Sequence, residues 1–505
     1  MNKNVVLTLF VLICFAIVFL YWFITTRDKR EHSRVVYMSQ CAGCHGEDLR
    51  GVRPGTDLMA NPLRYGDSTP ALMQSITGDL EAHNDVPEFD DSSRSTVKAL
   101  ALFISERRQK FPTIQASYQH TFVEQIVDSK YHRFRVEKHA DLASRPYSIA
   151  PLPDGAIIVS EKVRGLSVVG KNGKQGSLVE GAPAAYEPLL TVQGAQVGWG
   201  QLLEVALHPE FANNGWVYVS YSDRCQLDCA SAVPQSMTKV VRGRIKAGRW
   251  VDEQTIWSVD KAYYTVVPDA VAGGRLGFDK SGHLYVSVGG KATYKNLHKL
   301  DTPYGKIHRV REDGSVPEDN PFWMSADERE ATSTRHTVWS YGHRTIQGLE
   351  GHPLTGAIWN SEMGPRGGDE VNKIIGGGNY GWPLYTNGLD YDSTEITIGK
   401  ELGLDFPIEE TVLPVVDFTP APALSSLTFH HGQRFAAWKD DILIGSLKAL
   451  TFYRLRIEND KLVEQEKLVT GLGRIRDVEM GADGLVYIAI EHGDTGSIVR
   501  LVPAD

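Results

Sequence analysis

Hydrophobic positions along the chain change period twice. From Val5 to Ile24 twenty residues pass without a charge, and at 1.5 Å rise each such a helix crosses a hydrocarbon core of ~30 Å. A cleaved signal peptide has a shorter apolar region of ~7 to 15 residues and a small-residue cleavage site, which does not follow here. The run is therefore read as one transmembrane helix in a segment of residues 1–30. Val97, Leu100 and Ile104 within Ser95 to Arg107 recur at helical spacing, and Val35, Val36 and Tyr37 lie on a shorter amphipathic stretch. A polar connector, residues 111–119, leads into a third regime. There, a turn followed by a run of β-formers recurs as PDGAIIVSE (153–161), NNGWVYVSY (213–221), KSGHLYVSV (280–288), LTGAIWNSE (354–362), KDDILIGSL (439–447) and ADGLVYIAI (482–490). These runs are about 43 to 85 residues apart, and a four-stranded blade with decorated loops needs ~40 to 50 or more. The pattern predicts a large all-β six-bladed propeller over residues 120–505. A first strand within Phe122 to Val136 is expected to pair with Ser497 to Val502 and close the ring. The rival, a two-sheet sandwich, rarely holds so many turn-strand units.

Composition narrows the function. Hydrophobic residues at 42% and charged residues at 23% fit a globular chain. Lys+Arg 53 against Asp+Glu 62 leaves a net charge of −9, which argues against a nucleic-acid partner.

Of the five cysteines, two stand in Cys41-Ala42-Gly43-Cys44-His45. C-x-x-C-H is the spacing at which two thioethers hold a haem edge while the adjacent imidazole ligates the iron. A redox C-x-x-C or half a zinc site requires no such His, and no second cysteine pair with zinc spacing follows. Residues 31–110 resemble a small all-α class I cytochrome c domain, which implies covalent haem c on Cys41 and Cys44 with His45 on the iron. Where that family has Met-Pro-x-Phe, this chain has Val86-Pro87-Glu88-Phe89. The iron is then either five-coordinate or takes His83, with Met59 and Met73 as further candidates. Haem of this type is attached outside the cytoplasm. Arg27, Lys29, Arg30 and Arg34 after the span argue for the opposite orientation, but the haem motif outweighs them, and the expected location is a single-pass inner-membrane protein with its body in the periplasm. Cys225 and Cys229 are expected to form a small local disulfide, while Cys14 lies in the anchor.

The runs RPYSIAPLPDG (145–155), GKIHRVREDGSVPEDNPF (305–322), SYGHRTIQGL (340–349), SEMGPRGGDEVNKIIGGGNYGWP (361–383) and GRIRDVEMGADG (473–484) resemble the soluble aldose sugar dehydrogenases that use pyrroloquinoline quinone. The resemblance covers nearly all of residues 120–505. It implies quinone contacts at Arg344, Lys448, Arg474, Arg476 and Asp369, and a calcium ion on the backbone carbonyls of Gly364 and Pro365. A cofactor with three carboxylates calls for guanidinium forks, an ammonium and a hard cation, so these residue types suit it. On alternation alone, Arg474 and Arg476 also fit an exposed strand face.

Departures accompany the match. The family's general-base His corresponds to Val271, Trp199 stands for a Gln, Thr345 for an Asn and Met363 for a Gln. Asp269 is a surrogate base or a solvated loop carboxylate. Two functions follow: a redox protein whose propeller oxidises a sugar or related alcohol and hands electrons to its haem, and thence to a downstream acceptor, or a propeller that only binds carbohydrate or a protein partner. Surviving basic residues favour the first and Val271 favours the second.

Overall fold

Each of the six turn-and-strand runs becomes the second strand of a separate antiparallel sheet: Ile157–Glu161, Val217–Cys225, Leu284–Val288, Ile358–Glu362, Ile442–Ser446 and Val486–His492. The same turn position precedes all six in the left-handed region, with φ of 87° at Gly155, 66° at Gly215, 80° at Gly282, 73° at Gly356 and 76° at Gly484. The fifth run has Asp440 there at 66°, a residue type that tolerates this backbone because its short side chain bonds locally. Strands such as Leu284–Val288 and Ile442–Ser446 are buried at every position. Both of their faces pack against neighbouring sheets, which is why they read as continuous apolar runs rather than as alternation.

The structure, a computed structural model, describes residues 32–504 except 53–55, 61–62, 64, 79–93, 193–194, 226–234, 266–272, 291–292 and 329, with side chains not described at 32, 186–192 and 195–199. The expected anchor, His83 and Val86 to Phe89, Asp269 and Val271 lie outside the described residues, as does the side chain of Trp199. Among the described residues no helix is long and apolar enough to cross a membrane.

Among the described residues, five of these six sheets have four strands and one has five, and a separate two-stranded hairpin joins Tyr186–Val192 to Ala195–Gly200. The first strands of the six sheets, Pro146–Pro151, Leu202–Leu207, Leu276–Phe278, Ile346–Gly351, Leu424–Phe429 and Arg474–Met480, neighbour one another in a ring around the axis. This is the six-bladed propeller. Closure pairs Arg133–Leu142 with Thr495–Pro503, from Phe134 opposite Pro503 to Leu142 opposite Gly496. The closing strand thus starts and ends later than the expected window, and Gln125–Asp128 adds a fifth, outer strand. Cys225 is disulfide-bonded, and its expected partner Cys229 lies outside the described residues.

Ahead of the propeller come helices α1 (His32–Gln40), α2 (Ala42–His45), α3 (Thr69–Gly78), α4 (Arg94–Arg108) and α5 (Ile114–Tyr118). Val97, Leu100 and Ile104 of α4 are all buried, and α1, α3 and α4 share a core with Tyr37, Leu72 and Phe103. The connector is not extended: Thr113 caps α5 by accepting the amide of Ala116, and Ser117 is wholly buried.

Close to the axis, Arg275 (1% exposed) donates from Nη1 to Glu204 Oε2 at 2.6 Å and Asp477 Oδ1 at 2.8 Å, and from Nη2 to the carbonyl of Arg476 at 2.9 Å. Asp477 in turn accepts the amide of Ile149 at 2.7 Å. One guanidinium therefore ties together the inner strands of several blades. Arg275→Met should cost about 3–5 kcal/mol, because two buried carboxylates lose their countercharge. Burial already pushes the Glu204 carboxyl up to about 7, with Asp477 adding to the rise against the pull of Arg275. The unfolded state is common to both proteins, so the Glu204 share of the variant's deficit is present above its folded pKa and should shrink as pH falls below about 7, where that carboxyl is protonated with or without Arg275. Guanidinium unfolding across pH measures this.

Candidate active site

One end of the axis is strongly cationic. Arg474 and Arg476 leave the inner strand Arg474–Met480 on one side, separated by a register shift between Ile475 and Asp477. Both reach Glu491, which accepts Arg474 Nε at 3.2 Å, Arg476 Nε at 2.9 Å and Lys162 Nζ at 2.8 Å. Arg145 adds a fourth cation to the same carboxylate's surroundings. Burial works against ionisation of Glu491, but these cations outweigh it and hold the group well below the carboxylate range. Lys162 is pushed down to about 7, chiefly by burial and next by Arg476. Arg145 is 2% exposed, and its Nε and Nη2 have no hydrogen-bond partner. Several buried cations around one carboxylate, with unused donors, form a site that calls for a further anion.

Arg344 stands beside it. Its Nη1 donates to the carbonyls of Met363 at 2.8 Å and Gly364 at 3.0 Å, its Nη2 to Tyr391 Oη at 3.1 Å, and its Nε has no partner. The backbone behind it is fixed by Glu362, which accepts the Arg344 amide and meets His343 Nδ1 at 2.9 Å, while His343 Nε2 meets Ser340 Oγ at 2.9 Å. This Ser-His-Glu string is fully buried and serves to hold Arg344 in place.

Gly364 and Pro365 lie in a tight loop that continues through Gly367 (φ 89°) and Gly368 (φ 70°). A Cβ on Gly364 would meet the carbonyl oxygens of Gly367 and Gly368 at 2.2 and 2.3 Å, so this backbone tolerates only glycine there and crowds carbonyl oxygens together, the donor type a hard cation takes. Asp369 is 0% exposed and accepts the amides of Gly364 and Leu424, each at 2.8 Å. It acts from behind the loop, as its buttress, and burial pushes its carboxyl up to about 7.

Lys448 and the basic centre also meet the helices. Lys448 Nζ lies 2.7 Å from Glu106 Oε1 and 5.4 Å from the ring centre of Phe111. Arg474 Nη1 lies 2.9 Å from Ser117 Oγ, with its guanidinium 3.8 Å from the Tyr118 ring centre. In the helical unit Cys41 and Cys44 are free thiols, one half-buried and one exposed. His45 Nδ1 is 2.7 Å from the carbonyl of Thr56, an arrangement that fixes the ring and leaves Nε2 for a metal. Met59 and Met73 are partly buried against the helical core.

Arg344, Lys448, Arg474, Arg476 and the 364–365 loop therefore converge on one end of the propeller, whereas His45 lies in the helical unit. Sequence reasoning missed Arg145, Lys162, Glu491 and Arg366. A signal existed for the acid: two of the second-strand runs end in Glu161 and Glu362, Glu491 directly follows a third, and all three are buried.

Known proteins share this architecture. The family described as Glucose / Sorbosone dehydrogenase matches residues 143–500. The chain is 30% identical over 378 residues to the aldose sugar dehydrogenase of Escherichia coli, covering 73% of this chain and 92% of that protein. A glucose dehydrogenase crystal structure superposes with a TM-score of 0.63 at 33% identity, over 73% of this chain and 99% of its own. An aldose sugar dehydrogenase of Streptomyces coelicolor, solved in its PQQ-bound form, shares the fold with a TM-score of 0.54 at 22% identity, over 76% of this chain and 99% of its own. The chain belongs to the glucose/sorbosone dehydrogenase family, and its propeller is a homologue of the aldose sugar dehydrogenases.

Proposed function

We propose that this protein is a membrane-anchored periplasmic dehydrogenase that oxidises a sugar or related alcohol with pyrroloquinoline quinone and passes the electrons through its own covalent haem c to a downstream acceptor. The observation that carries the reading is a juxtaposition. The unit bearing Cys41, Cys44 and His45 rests on the cationic end of the propeller, through Glu106 on Lys448 and through Ser117 and Tyr118 on Arg474. Tethering donor and acceptor in one chain gives an effective concentration of about millimolar.

The residues suit the cofactor. Arg474, Arg476 and Lys448 supply cations for its carboxylates, and Arg344 retains an unused Nε donor for an anionic oxygen. Calcium would take the carbonyls of Gly364 and Pro365. Gly364 O already accepts from Arg344, and a carbonyl has a second lone pair for a metal. When bound, the quinone supplies a two-electron acceptor for the hydride at C1 of the sugar, and haem iron a one-electron carrier. The C1 hydroxyl proton is assigned to Asp269, since position 271 holds valine. His45 is the proximal iron ligand, and His83, Met59 and Met73 are the candidates for the opposite side.

Titrating the purified apo-protein with the quinone, with and without calcium, and then assaying a panel of aldoses with an artificial dye tests the propeller's part. Calcium-dependent binding and aldose-dependent dye reduction are expected. Absence of quinone binding would overturn the reading in favour of a propeller that binds carbohydrate or a partner, the alternative that Val271 supports. If proton removal limits turnover, Val271→His should raise the aldose oxidation rate by up to ~10²-fold, the lower end for a positioned general base. An unchanged rate with quinone bound would place the limitation elsewhere.

A further inference from the structure

Helix α4 lies across the loops at the cationic end of the propeller. Lys98 Nζ reaches the carbonyl of Gly388 at 3.5 Å, and Ala99 and Leu102 pack on Leu389. In the helix's last turn, Glu106 places one oxygen 2.7 Å from Lys448 Nζ and the other 3.4 Å from Arg366 Nη2. The position is locally unfavourable, because a carboxylate in a helix's last turn opposes the macrodipole. It is nevertheless ionised, since the charges of Lys448 and Arg366 outweigh the effect of its burial and hold its pKa below the ordinary glutamate value. The two cations, rather than the helix, therefore account for where Glu106 sits. Arg366 directly follows Pro365, so this anion seat borders the loop assigned to calcium.

We propose that Glu106 is an internal stand-in for a cofactor carboxylate: it fills the Lys448–Arg366 seat in the empty enzyme, and a polycarboxylate quinone loads by displacing it and lifting the end of α4 from the propeller. This rests on the quinone reading given above. The reason is electrostatic. A ligand carboxylate brought onto Lys448 lies within a few ångströms of Glu106 in a poorly solvated place, where like charges repel strongly. Without any anion, the partly buried cations Lys448 and Arg366 would flank the seat with no countercharge between them, and Glu106 removes that cost while the cofactor is absent. Loading and docking of the helical unit are then linked.

The isosteric Glu106→Gln removes the competing charge and keeps the side chain's shape. In calcium-containing buffer it should bind pyrroloquinoline quinone roughly tenfold tighter than the unaltered protein. In the unaltered protein, loading should speed amide hydrogen exchange across residues 94–108, a readout that needs no variant. Equal quinone affinity of the two proteins with exchange unchanged would overturn the displacement and leave the quinone reading intact. Weaker binding by Glu106→Gln would also overturn it, by making Glu106 part of the loaded site. Failure of both proteins to bind the quinone would overturn the quinone reading itself, and the displacement with it.

Discussion

Cys41→Ser combined with Cys44→Ser should leave the protein with no covalent haem at all, as read by haem staining on a denaturing gel. The two thiols are the only free cysteines among the described residues and lie three positions apart at the start and end of one turn. Serine cannot form the thioethers that hold a c-type haem. His45 would still be oriented by the Thr56 carbonyl, so weak, extractable haem binding can survive while the covalent link does not. The helical unit should also lose stability, because its core is small: it rests on Tyr37, Leu49, Leu72, Leu100, Phe103 and Ile104, and a domain of this size buries too little apolar surface to be robust alone. The propeller has its own cores and should be unaffected. Haem that stays attached in the double variant would remove the attachment assignment.

Arg476→Ala should weaken quinone binding by roughly 10- to 100-fold, the loss expected when one charge-assisted hydrogen bond of about 1.5–3 kcal/mol is deleted. Its effect should be cleaner than that of Arg474→Ala. Arg476 touches Glu491 and Gln347 within the propeller, whereas Arg474 also holds Ser117 and Tyr118 of the connector helix. Arg474→Ala is therefore expected to loosen the docked helices as well as the anion site. Calorimetric titration of both variants in calcium-containing buffer measures the affinities, and undiminished binding in Arg476→Ala would take that guanidinium out of the cofactor site.

The propeller was legible because its strongest constraint is local and repeated. A left-handed turn needs Gly or Asp before each second strand, and a strand packed on both faces is rich in apolar β-formers, so both features are written into consecutive residues. The helical spacing of Val97, Leu100 and Ile104 was legible for the same reason. Convergence was not. Nothing near Glu106 in the sequence marks it as a partner of Lys448, 342 residues away, and the polar connector gave no sign that Ser117 would be buried against Arg474. Lys162 and Glu491 are likewise distant in the chain and meet only because ring closure brings the first and last blades together. Arg344 carried a motif, but the Glu362 and His343 contacts that fix it needed the fold.

The central claim is that sugar oxidation in the propeller feeds the chain's own haem. It is tested most directly by mixing quinone- and calcium-loaded protein with an aldose without oxygen and following the haem absorbance. The account predicts haem reduction with a rate constant independent of protein concentration and lost when the quinone is omitted. Aldose oxidation that leaves the haem oxidised, or haem reduction whose rate constant rises with protein concentration, would contradict it.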